Sequence, residues 1–143
     1  MPWKVWEAMN SPVLAIDPGT DKCGLAVVDR ERVLRRWVAP RIQLLREVGS
    51  ALGCYQLNLI VLGDRTGSAR FRRELAQAFP HVDIVAVDEH LSSVEARQRY
   101  WQENPPRGWR RFIPLGMQVP PEPFDDLVAV ILAERYFRRQ PVN

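Results

Sequence analysis

The sequence predicts an α/β domain with a mixed five-stranded sheet, a three-stranded antiparallel meander plus two parallel strands, flanked by helices. Three short apolar runs joined by short polar turns come first and predict the meander. After Pro40 the apolar residues recur at helical spacing and alternate with two continuous apolar runs. Right-handed crossovers then place the two later strands beside the first. We assign residues 12–143 to this single domain and residues 1–11 to an N-terminal lead-in.

The meander is predicted from residues 13–17, 23–29 and 33–39. The Pro18-Gly19 turn separates the first two strands, and the polar stretch DRER separates the second from the third. Short connections of this kind favour antiparallel neighbours, because parallel strands need a longer crossover.

The next four elements alternate between helix and strand. A helix begins after Pro40 and is expected to end at Gly53. The runs LNLIVLG and VDIVAVDE predict two fully buried parallel strands, and SARFRRELAQAF between them predicts a helix that stops at Pro80.

Two further helices complete the chain. SSVEARQRYWQEN opens with a predicted capping box from Ser92 to Glu95. Residues 105–123 are rich in Pro, Gly and Arg and predict a long loop, a kind of segment that is often functional. FDDLVAVILAERYFRR predicts a final amphipathic helix, so the element order is βββαβαβαα.

Composition bounds the class of protein. Hydrophobic residues make up 46% of the chain and charged residues 26%, which is typical of a globular domain. No apolar run approaches the ~20 residues of a membrane span, and the first residues are too polar for a secretory signal, so we expect a cytoplasmic protein with no membrane partner. Cys23 and Cys54 lie far apart and predict two buried thiols, and His81 and His90 are too isolated for a zinc cluster.

Acidic residues stand at the ends of three predicted elements. Asp17 ends the first strand, Asp88 and Glu89 end the last strand, and Asp125 and Asp126 open the final helix. Ligands of open α/β sheets bind at the carboxyl ends of parallel strands, so these acids are expected to converge. Clustered carboxylates favour Mg²⁺ or Mn²⁺, and two such ions can act on a phosphodiester. Singly, each acid also has a structural explanation, as a turn residue or as a partner of the helix dipole.

Three blocks of sequence, DPGTDKCGLAVVD, VDEHLSSVEARQRYW and FDDLVAVILAERYF, resemble the signature blocks of the YqgF (RuvX-type) family. The resemblance spans nearly the whole chain after residue 12 and is strongest to a branch found in photosynthetic lineages. It implies an RNase H-like fold related to RuvC resolvases. Family members are described as pre-16S rRNA nucleases or Holliday-junction resolvases, so the resemblance implies an endonuclease of the two-metal-ion type.

The resemblance also implies roles for individual residues. Asp17, Glu89 and Asp125 match the three catalytic, metal-binding acids, and Asp88 and Asp126 are possible additional acids. The chain departs from the family at LGDRTGS, where VGLP is usual, and at His90, which replaces an arginine. Both departures concern substrate contacts more than metal binding.

Arginine dominates the basic residues, since 18 of the 20 are arginine, and its planar fork suits phosphate contacts. The predicted nucleic-acid contacts lie near the acids, in the helix that follows the last strand, or in the long loop: Arg65, Arg70, Arg97, Arg107, Trp109, Arg110 and Arg111. Gly67 and Ser68 open a helix whose N-terminus could hold a phosphate. An arginine-rich codon usage and a solvated basic face are the alternatives.

The function predicted from the sequence is metal-dependent hydrolysis of nucleic acid, with RNA of the precursor-16S type as the preferred substrate. A Holliday junction resolvase acting on branched DNA and a non-catalytic nucleic-acid-binding module are the alternatives. A phosphate-transferring ATPase of the actin and sugar-kinase type needs two such domains, which disfavours it. We expect a monomer. A homodimer is left open because an apolar patch in the long loop could either self-associate or fold back on the core; it contains Phe112, Ile113, Leu115 and Met117.

Overall fold

The computed structural model describes residues 11–65 and 68–139. Apart from Ser11, the predicted lead-in lies outside the described residues, as does Gly67. The sheet runs in the order β3-β2-β1-β4-β5. Its strands are β1 (Val13–Asp17), β2 (Lys22–Val28), β3 (Val33–Pro40), β4 (Leu59–Gly63) and β5 (Asp83–Val87).

The pairing of the strands confirms the mixed sheet. β1 is antiparallel to β2, with Asp17 opposite Gly24, and β2 is antiparallel to β3. On its other side β1 runs parallel to β4, with Leu14 opposite Ile60, and β4 runs parallel to β5. The carboxyl ends of β1, β4 and β5 therefore meet at one edge of the sheet.

The helices of the described residues follow the predicted order. They are α1 (Leu44–Tyr55), α2 (Ser68–Ala78), α3 (Ser92–Glu103) and α4 (Asp125–Arg139). Short 3₁₀ turns occur at Arg41–Gln43, Gly108–Phe112 and Leu115–Met117. The predicted long loop between α3 and α4 thus contains two ordered turns.

The two faces of the sheet are covered by different helices, because successive strand residues point to opposite sides. On one face, Leu14 and Ile16 join a core with residues of α1 and α2. On the other face, Val13 and Ala15 pack with residues of α4. α3 lies on α4, where Trp101 is buried against Ile131, so α4 is the central helix of a second layer.

Several local predictions were wrong. α1 continues through Gly53 to Tyr55 and ends at Gln56, which adopts a left-handed conformation with φ of 53°. β5 is half exposed rather than fully buried, since it lies at the edge of the sheet. Cys54 is exposed, and only Cys23 is buried.

The predicted capping box at the start of α3 does not form. The Ser92 hydroxyl is buried without a hydrogen-bond partner, and the Glu95 carboxylate accepts a hydrogen bond from Arg135 of α4 at 3.1 Å. Glu95, which the local pattern assigns to the cap, therefore pairs with Arg135 of another helix. None of the helices in residues 11–65 and 68–139 combines the length and the apolarity needed to cross a membrane.

Candidate active site at the carboxyl edge of the sheet

Asp17 is a buried acid at the end of the central strand. Only 6% of the residue is exposed, and its Oδ1 atom accepts no hydrogen bond. Burial raises the pKa of the Asp17 carboxyl to about 6; Arg65 opposes the rise, and the charges of Glu89 and Asp125 add to it. The fold therefore brings Glu89 and Asp125 within electrostatic reach of Asp17.

Glu89 follows the end of β5 and points back over the sheet edge. The residue is 8% exposed, its Oε1 accepts no hydrogen bond, and its Oε2 lies 2.8 Å from Nε of Arg65. Its backbone N–H donates to Oδ1 of Asp64 at 3.2 Å, which fixes the turn that carries the side chain. Arg65 thus neutralises one oxygen of Glu89 and leaves the other bare.

Two glycines make room for these acids, and the sequence analysis missed both. A Cβ atom on Gly63 would overlap the Glu89 carboxylate, and a Cβ atom on Gly24 would overlap the backbone carbonyl of Asp125. Gly24 lies directly opposite Asp17 in the β1–β2 pair. Both could have been predicted from the strand register, because Gly24 lies opposite the last residue of β1 and Gly63 is the last residue of β4.

Asp125 and Asp126 face different partners. Burial raises the pKa of the Asp125 carboxyl, while a backbone hydrogen bond and the charge of Lys22 oppose the rise. Asp126 accepts a hydrogen bond from the N–H of Leu127 at 3.0 Å, and its other oxygen lies 3.8 Å from Nε of Arg36 on β3. Of the two neighbours, Asp125 is the one that interacts electrostatically with Asp17.

Asp88 belongs to an exposed turn. Its Oδ1 accepts a hydrogen bond from the N–H of His90 at 2.9 Å, and its carbonyl accepts one from Arg135 at 2.8 Å. Its carboxylate therefore shapes the turn that leads into α3. Asp88 stands at the sequence position next to Glu89 but outside the buried cluster.

The chemistry of the cluster suits a divalent cation. Asp17 and Glu89 each present a buried, unpartnered carboxylate oxygen, the type of ligand that Mg²⁺ and Mn²⁺ prefer. Among the described residues, no group of three or more His, Cys, Asp or Glu side chains is already arranged to hold a metal ion. The guanidinium of Arg65 occupies Oε2 of Glu89. A cation bound there would take over the neutralising charge of Arg65.

The predicted arginine contacts separate into different surroundings. Arg65 lies at the acidic cluster. Arg70 is on α2, with a side chain that is 84% exposed and 3.6 Å from Glu74. Arg97 donates hydrogen bonds to backbone carbonyls of the loop between α3 and α4, so its guanidinium already has protein partners.

The remaining predicted contacts lie together in that loop. Arg107, Trp109, Arg110 and Arg111 are all exposed. Tyr100 and Trp101, by contrast, are buried near the end of α3.

Comparison with known proteins defines the fold. No protein-family model matches the sequence, and no curated protein matches it significantly. The solved structure described as T. thermophilus RuvC in complex with Holliday junction substrate is 20% identical, with a TM-score of 0.56, and the match covers 90% of this chain and 94% of that chain. A second Thermus thermophilus RuvC structure is 19% identical, with a TM-score of 0.54, 90% of this chain covered and 95% of that chain. The fold is RNase H-like, as the resemblance implied.

Proposed function

We propose that this chain is a metal-dependent nuclease that hydrolyses phosphodiester bonds in nucleic acid. The observation that carries the proposal is the pair of buried carboxylates, Asp17 and Glu89, each with a bare oxygen at the carboxyl edge of the sheet. Burying such charges without partners is costly, and a cation between them offsets that cost. The similarity of the fold to RuvC supports the proposal independently, because it rests on the whole backbone and not on these two side chains.

Asp17, Glu89 and Asp125 would hold Mg²⁺ or Mn²⁺, with two ions as the expected number. When bound, such ions supply an activated water nucleophile and stabilise the charge on the leaving oxygen. Arg65 keeps the Glu89 carboxylate neutralised until a cation arrives. Its side chain is 51% exposed, so once released it can reach solvent and contact a substrate phosphate.

RNA, of the kind processed to 16S rRNA, is the substrate we propose first. A monomer with one site cuts one strand in each encounter, which suits RNA processing. The structural similarity to RuvC bound to a Holliday junction supports branched DNA as the second candidate. A junction resolvase must place two sites around a two-fold axis, which requires a dimer. Both substrates occur inside cells, so we also propose the cytoplasmic location that the sequence predicts.

Cleavage assays test the proposal directly. Purified protein with Mg²⁺ or Mn²⁺ is incubated with precursor rRNA, single strands and four-way junctions side by side. We expect Asp17→Asn and Asp125→Asn to reduce cleavage more than about a hundredfold, because each removes a charge from the cation site. Asp88→Asn is the matched control: it makes the same change nearby and keeps the oxygen that accepts from the His90 N–H.

The outcomes separate the candidates. Cleavage of RNA that depends on metal and on Asp17 supports the first proposal. Two symmetric nicks in a four-way junction, made by a stable dimer in light scattering, would favour the resolvase. Binding without cleavage of any substrate, with either metal, would leave a non-catalytic binding module and refute the nuclease.

A further inference from the structure

The segment between α3 and α4 carries a surface that the acidic site does not explain. We call it the Arg-aromatic surface and define it by Arg107, Trp109, Arg110, Arg111 and Phe112. Trp109 is 70% exposed and Phe112 is 77% exposed, although both are large apolar side chains. The sequence left open whether the loop's apolar residues self-associate or fold back on the core. Phe112 does not fold back on the core.

Hydrogen bonds hold this segment in its shape. The side-chain amide of Gln118 donates to the carbonyls of Arg110 at 2.8 Å and Ile113 at 2.9 Å. Arg97 of α3 donates to the carbonyls of Leu115 and Gln118. The 3₁₀ turn Gly108–Phe112 is thereby fastened to α3 while its rings point outward. An ordered backbone that exposes two aromatic rings is a preorganised binding surface, because little conformational freedom is lost when a ligand is bound.

Cations lie over these rings. The Cζ atom of Arg110 is 5.8 Å from the centroid of the Trp109 ring, and that of Arg111 is 5.1 Å from the centroid of Phe112. No acidic residue occurs in the sequence from 104 to 121. A second copy of the same surface would bring like charges together, which disfavours self-association. The combination of positive charge and exposed ring faces suits a polyanion with planar groups.

We propose that the Arg-aromatic surface binds unpaired nucleotides, with bases stacked on Trp109 and Phe112 and phosphates held by Arg107, Arg110 and Arg111. Aromatic rings can stack with any base, but only when that base is not already inside a duplex. The inference rests on the proposed nuclease function and deepens it, because it names the substrate class: nucleic acid with a single-stranded stretch.

Binding measurements test the inference separately from cleavage. Fluorescence anisotropy in EDTA compares a labelled, unstructured 20-nucleotide RNA with the same RNA annealed to its complement. We expect Trp109→Leu and Phe112→Leu each to weaken binding of the single strand about tenfold, the loss of one base stack, with less than about a twofold effect on the duplex. Met117→Leu is the matched control, since Met117 is 77% exposed on the same segment but has no ring. Circular dichroism checks that each variant is folded.

Four results would overturn the inference. The first is unchanged single-strand affinity in both leucine variants. The second is an equal loss for single strand and duplex, which would mean that the rings do not bind bases. The third is a wild-type dimer in light scattering that the leucine variants dissociate, which would make the surface an interface between copies. The fourth is a wild type that binds neither RNA, in which case the cleavage assays alone decide the proposed function. Wild-type RNA binding and cleavage with unaffected leucine variants would refute the stacking surface alone.

Discussion

In the absence of metal, replacing Asp17 by asparagine should change the stability of the protein more favourably at high pH than at low pH. The residue is 6% exposed, and burial raises the pKa of its carboxyl from 3.8 to about 6. A raised carboxyl pKa means that the folded state holds the proton more tightly than the unfolded state. The penalty from ionising Asp17 is therefore absent below pH 3.8, grows as the pH rises toward 6, and is constant above that.

The magnitude follows from the shift. A difference of about two pKa units corresponds to about 3 kcal/mol at pH 8. About half of it, about 1.5 kcal/mol, develops between pH 5 and pH 8. With an unfolding entropy of about 0.3 kcal/mol per kelvin for a chain of this length, that half corresponds to about 5 °C in Tm. The asparagine amide is itself buried beside an unpaired position and costs about 1–3 kcal/mol, but it does so equally at both pH values.

Thermal unfolding of wild type and Asp17→Asn at pH 5 and pH 8 in EDTA measures this effect. We expect the Tm of the variant, relative to wild type, to be about 5 °C higher at pH 8 than at pH 5. Added Mg²⁺ should raise the wild-type Tm at pH 8 and leave that of the variant nearly unchanged, because the variant lacks a ligand. Asp88→Asn, at an exposed position, controls for the loss of one negative charge. A Tm difference between variant and wild type that does not depend on pH would refute the electrostatic argument, and equal stabilisation of both proteins by Mg²⁺ would refute the role of Asp17 as a ligand.

Four further predictions concern two glycines, the Arg-aromatic surface and the oligomeric state. Gly63→Ala should reduce cleavage more than about tenfold, because a Cβ atom at that position displaces the Glu89 carboxylate. Gly53→Ala should instead stabilise α1 by about 1 kcal/mol, because a Cβ atom there meets nothing within 4 Å. The double variant Arg110→Ala/Arg111→Ala should make the slope of log affinity against log salt shallower by about 1.4 for single strands, and an unchanged slope would remove both arginines from the binding path. Light scattering over a concentration series should show a monomer at every concentration, and a stable dimer would contradict the single-site scheme.

Sequence patterns predicted the sheet because its signals are local. Alternation between short polar turns and apolar runs, followed by helical spacing, fixed the element order and the neighbours of β1. The acids at the ends of β1 and β5 were predictable for the same reason: a strand end can be located from the sequence, and parallel strands share an edge.

Contacts between residues distant along the chain could not be predicted from local sequence patterns. Glu95 stands three residues after Ser92, as a capping box requires, yet it pairs with Arg135, which is distant along the chain. The contact of Arg65 with Glu89 also depends on how two strand ends meet. Which of Asp125 and Asp126 interacts with Asp17 depends on the rotation of α4 about its axis, which places Asp126 near Arg36 of β3 and which no local pattern encodes.

The position of α4 has a consequence for the order of events during synthesis. This helix has seven consecutive buried residues, Leu127 to Ala133, some packed on the sheet and some on α3, and it begins at Asp125, the third predicted acid. A growing chain that has not yet emerged from the ribosome through α4 has all five strands but an open apolar face and an incomplete cluster of acids. If the protein cleaves RNA as proposed, each new copy acquires that activity only once α4 has packed on the sheet.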